Sequence, residues 1–145
     1  MKVDTTTRFG FRLLVNLAQV DGIKSLAAIS KEENISRKYL EQIILRLRKN
    51  DIITGYKGIN GGYKLNTDPS KISLFQIYKA LEDREHILFC LDDKEPPCKN
   101  GKNCKTKKLW KCLDNEIRGT LKKYSLADLI NDKKQFNGSG DSHGK

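Results

Sequence analysis

The order helix, turn, helix and glycine-containing hairpin between residues 25 and 66 is the feature that most constrains the fold of this chain. Ser25 can cap a first short helix, LAAISKEE, because its hydroxyl can accept a hydrogen bond from the helix backbone. Asn34 and Ile35 make a tight break, and Ser36 can cap a second helix. Two helices joined by a short turn form the helix-turn-helix pattern.

The second helix, RKYLEQIILRLRKN, is predicted to have one apolar and one polar face. Its apolar positions recur at helical spacing and are Leu40, Ile43, Ile44 and Leu47. Its first turns carry polar residues instead, namely Ser36, Arg37, Lys38, Glu41 and Gln42. Such side chains can reach phosphates and base edges in a DNA major groove. The pair alone also fits an ordinary αα-hairpin with a charged outer face.

A β-hairpin directly after the second helix favours the DNA-binding interpretation. Two β-prone runs, 52–56 and 63–65, flank a glycine-rich tip, which is typical of a hairpin turn. The tip lacks the G-x-x-x-x-G-K-[ST] pattern and joins strand to strand, so we exclude a nucleotide-binding loop. A helix pair followed by a hairpin is a winged helix-turn-helix. The residues predicted to face DNA here are Arg48, Lys57, Gly61 and Lys64.

A helix on each side is predicted to complete the core of this domain. Thr6 or Thr7 can cap the N-terminal helix RFGFRLLVNLAQV, whose apolar residues repeat at helical spacing. Arg8 and Arg12 then lie on its outer face, free for solvent or phosphate. After the hairpin, Ser73 can cap the helix LFQIYKALEDRE, which closes the core.

The composition agrees with a DNA-binding protein and excludes several other classes. A net charge of +10 fits a polyanionic partner, although a solvated lysine-rich surface carries the same charge. No apolar run approaches the roughly 20 residues of a membrane helix, and no signal core opens the chain, so we expect a cytoplasmic protein without a membrane partner. The chain has two histidines and no C-x-x-C, H-E-x-x-H or nucleophile–base pattern, so we predict no enzyme.

All four cysteines lie in one stretch, at positions 90, 98, 104 and 112. A reducing compartment disfavours structural disulfides, so such clustering indicates metal binding or redox sensing. From about Lys105, within this stretch, the sequence KTKKLWKCLDNEIRGTLKKY returns to helical period. Its apolar stripe consists of Leu109, Trp110, Leu113, Ile117 and Leu121. Because a small domain cannot cover this stripe, we predict a homodimer helix, with packing onto its own domain as the alternative.

The predicted architecture is therefore mainly α with a small β-hairpin wing. We assign residues 1–83 to the winged helix-turn-helix domain and 84–106 to a cysteine-rich cluster-binding loop. Residues 107–136 form the dimerisation helix and a terminal short helix. Residues 137–145 are polar and rich in glycine and serine, so we expect a disordered tail.

The stretches ISRKYLEQIILRLRKNDII and KGINGGYKL, followed by Cys98-x5-Cys104 and Leu109-Trp110, resemble the IscR/NsrR/CymR family of winged-helix regulators. The likeness runs from Met1 to about Asn131 and is closest to the IscR-like members. It implies a dimeric transcription factor that binds a palindromic operator in double-stranded DNA. It also implies a [2Fe–2S] cluster, with [4Fe–4S] as the alternative, held by Cys90, Cys98 and Cys104.

Two departures from the IscR-like pattern leave the fourth ligand open. Lys107 stands where those proteins have a histidine, and a protonated lysine is a poor iron ligand. The seven residues between Cys90 and Cys98 also exceed the family spacing. Cys112 is a candidate, although it lies about 140° around and about 7.5 Å along a helix from position 107. Arg8 occupies the position of a carboxylate ligand in other relatives. The remaining candidates are Asp4, Asp92, Asn103, water and a small thiol.

The positive charge of the lysines around the cysteines favours thiolate ligands and offsets the negative charge of a thiolate-ligated cluster. Zinc is a rival metal, but zinc sites usually show shorter C-x₂₋₄-C pairs. The resemblance thus predicts a cluster-sensing repressor of iron–sulfur cluster biogenesis genes, with cluster-assembly proteins as further partners. The alternative is a cluster-free, thiol-sensing or partner-controlled regulator of cysteine or sulfur metabolism.

Overall fold

The computed structural model describes residues 3–131 and 136–137. Its helices in chain order are α1 (Thr5–Ala18), α2 (Leu26–Glu33), α3 (Arg37–Lys49), α4 (Leu74–Glu82), α5 (Lys107–Lys123) and α6 (Leu126–Ile130). The hairpin strands, between α3 and α4, are β1 (Ile53–Tyr56) and β2 (Gly62–Leu65). Short 3₁₀ turns cover Pro69–Lys71 and Phe89–Leu91. This order confirms the predicted mainly α fold with a hairpin wing.

Three serines begin helices as the sequence predicts. The Ser25 hydroxyl accepts a hydrogen bond from the Ala28 amide at 3.1 Å, and Ser36 accepts from Tyr39 at 3.2 Å. Ser73 forms a capping box, in which hydroxyl and Gln76 side chain each accept from the other residue's backbone amide. These caps satisfy amides that the first helical turn leaves without partners, and they fix where α2, α3 and α4 start.

The predicted cap of α1 is wrong. The helix begins at Thr5 with Asp4 in the cap position, and the Asp4 side chain makes no capping bond. Thr6 and Thr7 lie inside the first turn. The Thr6 hydroxyl pairs with the Tyr39 hydroxyl at 2.9 Å, and the buried Thr7 hydroxyl donates to the Glu82 carboxylate. Both threonines therefore connect α1 to other helices instead of closing its end.

The core lies where α1, α2, α3 and α4 meet. Each helix turns the predicted apolar face inward, and the fully buried side chains include Leu13, Leu14, Ile29, Leu40, Ile43, Leu47, Ile77 and Leu81. Gly10 lets α1 approach α4 closely, because a Cβ there would overlap the Leu81 side chain. Since this core fixes the angle of α3, it also fixes the direction in which the polar face of α3 points.

The wing contains one more extended segment than the sequence predicts. β1 and β2 pair antiparallel, with Ile53 opposite Leu65 and Tyr56 opposite Gly62. Lys24, just before α2, then pairs with Tyr63 through two backbone hydrogen bonds of 2.8 and 2.9 Å. A side chain at Gly62 would overlap the Lys24 backbone. The hairpin is thus tied to the start of the helix-turn-helix.

Helix α5 packs partly on its own domain and leaves part of its apolar stripe uncovered. The Phe75 ring of α4 lies under the side chains of Arg118 and Lys122, at 5.4 and 4.8 Å. Leu109 is 52% exposed, and the other predicted stripe residues are half-buried. The stripe is therefore available to a partner mainly at the N-terminal end of α5.

After α5 the chain returns to the winged-helix core. Leu126 of α6 is fully buried, and its amide donates to the Ile72 carbonyl at 2.8 Å. The Tyr124 hydroxyl contacts the backbone of Asn137 at 2.9 and 3.1 Å. Apart from Asn137, the predicted disordered tail lies outside the described residues. No helix among the described residues is long and apolar enough to cross a membrane.

Candidate nucleic-acid interface and cysteine cavity

The outer face of α3 presents a mostly polar surface, which one exposed apolar side chain, Leu45, interrupts. Because Leu40, Ile43, Ile44 and Leu47 turn into the core, the residues between them face solvent. The predicted DNA-facing residues of this helix are all exposed: Ser36, Arg37, Lys38, Glu41, Gln42 and Arg48. Ser36 also serves as the helix cap, so its position at the start of α3 is fixed.

The surrounding helices hold α3 firmly in place. The Tyr39 ring meets Phe9 of α1 edge to face, with ring centroids 5.4 Å apart. The Arg46 guanidinium donates to the Leu81 carbonyl at the end of α4. Since these contacts join α3 to both neighbouring helices, the polar face is organised before any partner binds, which lowers the entropy cost of binding.

The tip of the wing is exposed and tightly turned. Lys57 and Ile59 extend into solvent, and Ile59 is 104% exposed. The Gly61 amide donates to the Gly58 carbonyl at 3.0 Å, and a side chain at Gly61 would overlap the Tyr56 backbone oxygen. Gly61 therefore shapes the loop that carries Lys57 and Ile59.

The arginines predicted to contact DNA or phosphate differ in whether other parts of the protein hold their side chains. Arg48 lies against β1, with its guanidinium next to Gly55, so it bridges the end of α3 and the wing. Arg8 is exposed and forms no ion pair within the described residues. The prediction that Arg12 is free is wrong, because its Nε lies 3.2 Å from the Glu33 carboxylate and its guanidinium lies over Phe9.

A cavity of about 730 Å³ lies between the 3₁₀ turn Phe89–Leu91 and the start of α5; we call it the cysteine cavity. Its thiol-bearing walls are Cys90, Cys98 and Cys104. Lys107 and Trp110 from the first turn of α5 line it as well. Cys112 lies exposed on α5 and is not part of the lining. The fold thus places three of the four cysteines on the wall of one cavity and leaves the fourth outside it.

Tight turns shape the wall of the cysteine cavity. The Gly101 amide donates to the Cys98 carbonyl at 2.9 Å, and a Cβ on Gly101 would lie 3.1 Å from that oxygen. Three residues later, the Cys104 Sγ lies 3.2 Å from the Thr106 hydroxyl. This hydroxyl, then the Thr106 amide and the neighbouring Lys107 amide and charge, lower the pKa of the Cys104 thiol. Cys104 is therefore biased towards the thiolate that binds metals.

The donor set of the cavity fits an iron–sulfur cluster in its chemistry. Thiolates are the ligands that such clusters use, and the three thiols share one cavity with Lys99, Lys102 and Lys107, whose charges offset thiolate charge. Within the described residues, no three His, Cys, Asp or Glu side chains are gathered closely enough to hold a single metal ion. Lys107 faces the cavity at the position where the resemblance leads one to expect a histidine.

A buried polar cluster beside the cavity was not predicted. Asp114 of α5 is only 2% exposed, and its carboxylate accepts from the Ile87 amide at 2.8 Å and pairs with His86 Nδ1 at 2.7 Å. Arg118 lies 3.9 Å from the same carboxylate. We call the contact of Asp114 with residues 86–87 the loop clasp. It ties the start of the cysteine-bearing segment to α5.

Glu85 extends the loop clasp to α4. Its carboxylate pairs with Lys79 at 2.5 Å and lies 4.0 Å from Arg118. The hydrogen bond from Lys79 and its charge lower the pKa of Glu85. The sequence did carry one signal for the clasp, since Asp114 directly follows Leu113 within the apolar face of α5, where an unpaired carboxylate would be costly.

Fold and surface together define a class of protein: a winged helix-turn-helix DNA-binding regulator. The model of the Rrf2 family, described as an iron-dependent transcriptional regulator, matches residues 3–132, and the chain belongs to this family. The HTH-type transcriptional regulator IscR of Escherichia coli is 30% identical over 145 residues, covering 99% of this chain and 88% of that protein.

Solved structures show the same likeness. CymR (YrzC), the global cysteine regulator of B. subtilis, superposes with a TM-score of 0.72 at 28% identity, covering 90% of this chain and 96% of CymR. T. potens IscR gives a TM-score of 0.71 at 26% identity, covering 95% and 94%. The relatives are transcriptional regulators, which confirms the prediction that this chain is not an enzyme.

Proposed function

We propose that this protein is a homodimeric regulator that senses an iron–sulfur cluster and binds palindromic operators. The observation that carries the proposal is the cysteine cavity, which Cys90, Cys98 and Cys104 line together with the start of α5, in a chain of the Rrf2 family. A [2Fe–2S] cluster is the proposed cofactor, with [4Fe–4S] as the alternative. The proposed targets are iron–sulfur cluster biogenesis genes, which the protein represses.

In this proposal α3 reads the major groove and the wing contacts the neighbouring backbone. Arg37, Lys38 and Gln42 supply donors to phosphates and base edges, and Glu41 accepts from a cytosine amine or repels a wrong base. Lys57 on the wing and Arg8 on α1 contact phosphates or the minor groove. A two-fold dimer would place its two α3 helices about 34 Å apart, one helical turn of DNA.

The proposed dimer forms through α5. Leu109 is exposed at the N-terminal end of that helix, and the half-buried stripe continues from it. Apolar area of this kind is buried favourably against a second copy. Because the same end of α5 lines the cysteine cavity, the dimer contact and the sensing site lie on one element.

Because α5 belongs to both the cysteine cavity and the proposed dimer contact, it can couple ligand binding in the cavity to DNA binding. A bound cluster would supply a thiolate-ligated iron centre that changes with oxidants and iron supply. The protein's own contacts would transmit the change from the cavity. The loop clasp fixes the loop to α5, and Phe75 connects α5 to α4. Helix α4 in turn holds α3 through the Leu81 carbonyl. Ligation in the cavity would thereby bias the setting of the two reading helices.

The second candidate is a cluster-free regulator of cysteine or sulfur metabolism. Two observations favour it: Lys107 stands in the cavity, and CymR is a structural neighbour. In this case the Cys104 thiol, with its lowered pKa, would respond to oxidation directly. Iron and sulfide analysis of anaerobically purified protein separates the two candidates, because colourless protein without iron favours the second.

Gel shift on a palindromic promoter site tests the proposed function. Protein with and without anaerobic cluster reconstitution should differ in operator affinity, whereas a scrambled site should be bound weakly by both forms. Cys98→Ser should behave like the untreated protein after reconstitution. Identical affinity of the reconstituted and untreated forms would reject cluster sensing and leave DNA binding intact.

A further inference from the structure

We propose that Asp92 supplies the fourth protein ligand of the iron–sulfur cluster, through a carboxylate oxygen. The inference deepens the cluster-sensing function proposed above and rests on it. Clusters of this type are held by four protein ligands, and the cysteine cavity contains three thiols. The cavity wall must therefore provide one more donor if the protein alone completes the set.

The lining of the cavity narrows the choice of donor. His86 is held by Asp114 and does not line the cavity, and Cys112 lies outside it. Lys107 does line it, but an ammonium group has no lone pair to donate at neutral pH. The remaining polar side chains include the carboxylates of Asp92, Asp93 and Glu95. Carboxylates are anionic at neutral pH and are accepted ligands of iron.

Among these carboxylates, Asp92 is in the most favourable position. It is half-buried, whereas Asp93 and Glu95 are exposed. It lies two residues after Cys90 and lines the same cavity. Its amide donates to the Phe89 carbonyl at 3.1 Å, which fixes the backbone at the end of the 3₁₀ turn.

The side chain of Asp92 is also held in one direction. Its Oδ1 accepts from the Lys94 amide at 2.9 Å, and no hydrogen bond or ion pair within the described residues uses Oδ2. One oxygen therefore orients the carboxylate while the other remains available to iron. Lys99, Lys102 and Lys107 line the same cavity, and their three positive charges offset part of the negative charge of the thiolates and the lining carboxylates.

The test compares wild-type protein with Asp92→Ala, Asp92→Cys and the matched control Asp93→Asn after anaerobic reconstitution. Iron and sulfide content, absorption and Mössbauer spectra are the readouts. We expect Asp92→Ala to lower the retained iron by about tenfold or more, since even outer-shell changes cost 10–100-fold in metal affinity. Asp93→Asn should match the wild type. Asp92→Cys should retain iron, with the two iron sites of a [2Fe–2S] cluster becoming alike.

The outcomes separate this inference from the proposed function. If wild-type protein holds a cluster and Asp92→Ala holds the same amount with the same spectrum, Asp92 is not a ligand and the cluster-sensing function stands. If wild-type protein takes up no iron, both proposals fail. If Asp92→Ala loses iron and Asp92→Cys does not restore it, the loss reflects loop damage and the assignment of Asp92 is wrong.

Discussion

Cys104 and Thr106 show how single residues prepare the cysteine cavity for chemistry. The Thr106 hydroxyl, 3.2 Å from the Cys104 Sγ, is the largest of the influences that lower the pKa of this thiol. A thiol with a lowered pKa carries more thiolate at a given pH and reacts faster with alkylating agents near neutrality. The influence comes from a neutral hydroxyl group. A threonine-to-valine substitution removes this hydroxyl with little change in side-chain volume.

We expect Thr106→Val to raise the pKa of Cys104 in metal-free protein. The pH profile of Cys104 alkylation should then shift to higher pH, and the rate at neutral pH should fall. Iodoacetamide labelling followed by peptide mass spectrometry measures each cysteine separately, so Cys112 provides an internal control that should not change. An unchanged Cys104 profile would show that Thr106 does not stabilise the thiolate.

Gly61 is a second residue whose identity matters, because the shape of the wing tip requires a residue without a side chain. A Cβ at this position would overlap the Tyr56 backbone oxygen, and backbone cannot move aside as a flexible side chain can. Gly61→Ala should therefore distort the wing tip and reduce operator affinity, while the helical content by circular dichroism stays unchanged. Gly119→Ala is the matched control, because nothing lies within 4 Å of a Cβ there. An operator affinity equal to wild type in Gly61→Ala would contradict a DNA-binding role of the wing.

At the scale of elements, the loop clasp joins the cysteine-bearing segment to α5. Removing the Asp114 carboxylate leaves the half-buried Ile87 amide and His86 ring without their partner. We expect Asp114→Ala to lower the free energy of unfolding by about 1.5–3 kcal/mol, the range for hydrogen bonds to a charged group. Urea denaturation followed by circular dichroism measures this change.

Asp114→Asn is the matched variant for the clasp. Its side-chain oxygen can still accept from the Ile87 amide, so it should destabilise less than Asp114→Ala. Limited proteolysis should cut the segment 88–104 faster in Asp114→Ala than in either wild type or Asp114→Asn. Equal cleavage rates in all three proteins would mean that the clasp does not restrain the loop.

Elements whose pattern is local could be predicted from the sequence, and those set by distant partners could not. Leu40, Ile43, Ile44 and Leu47 fix the buried side of α3 because helical period is visible within a few turns. Lys24 carries no strand signal, since its pairing depends on the backbone of Tyr63. The clasp depends on His86 and Asp114, which are far apart in the chain.

The residues of the candidate site also fall into those that the sequence predicts and those that only the fold places. The family resemblance implied Cys90, Cys98 and Cys104 as ligands, and all three line one cavity. Their ligand role stays a prediction. Whether Cys112 could join them depended on the rotation of α5 relative to the loop, which no sequence pattern fixes. The orientation of Asp92 likewise depends on the turn that follows Phe89–Leu91, and only the three-dimensional arrangement shows it.

At the scale of the whole molecule, DNA binding and self-association are expected to depend on the same helix. Leu109 is exposed on α5, yet it belongs to an apolar stripe whose other members are half-buried. A carboxylate placed there would remain unpaired against an apolar partner surface. Leu109→Glu should therefore weaken the dimer without disturbing the core of the winged-helix domain.

Sedimentation equilibrium and gel shift together test this expectation. Leu109→Glu should shift the protein towards monomer and reduce affinity for a palindromic operator much more than for a single half-site, because a monomer occupies one major groove at a time. Asn115→Glu adds the same charge at an exposed position of α5 outside the stripe and should remain dimeric. If Leu109→Glu stays dimeric and binds the palindrome as tightly as Asn115→Glu does, α5 is not the dimer helix. Two α3 helices would then have to be paired through another surface.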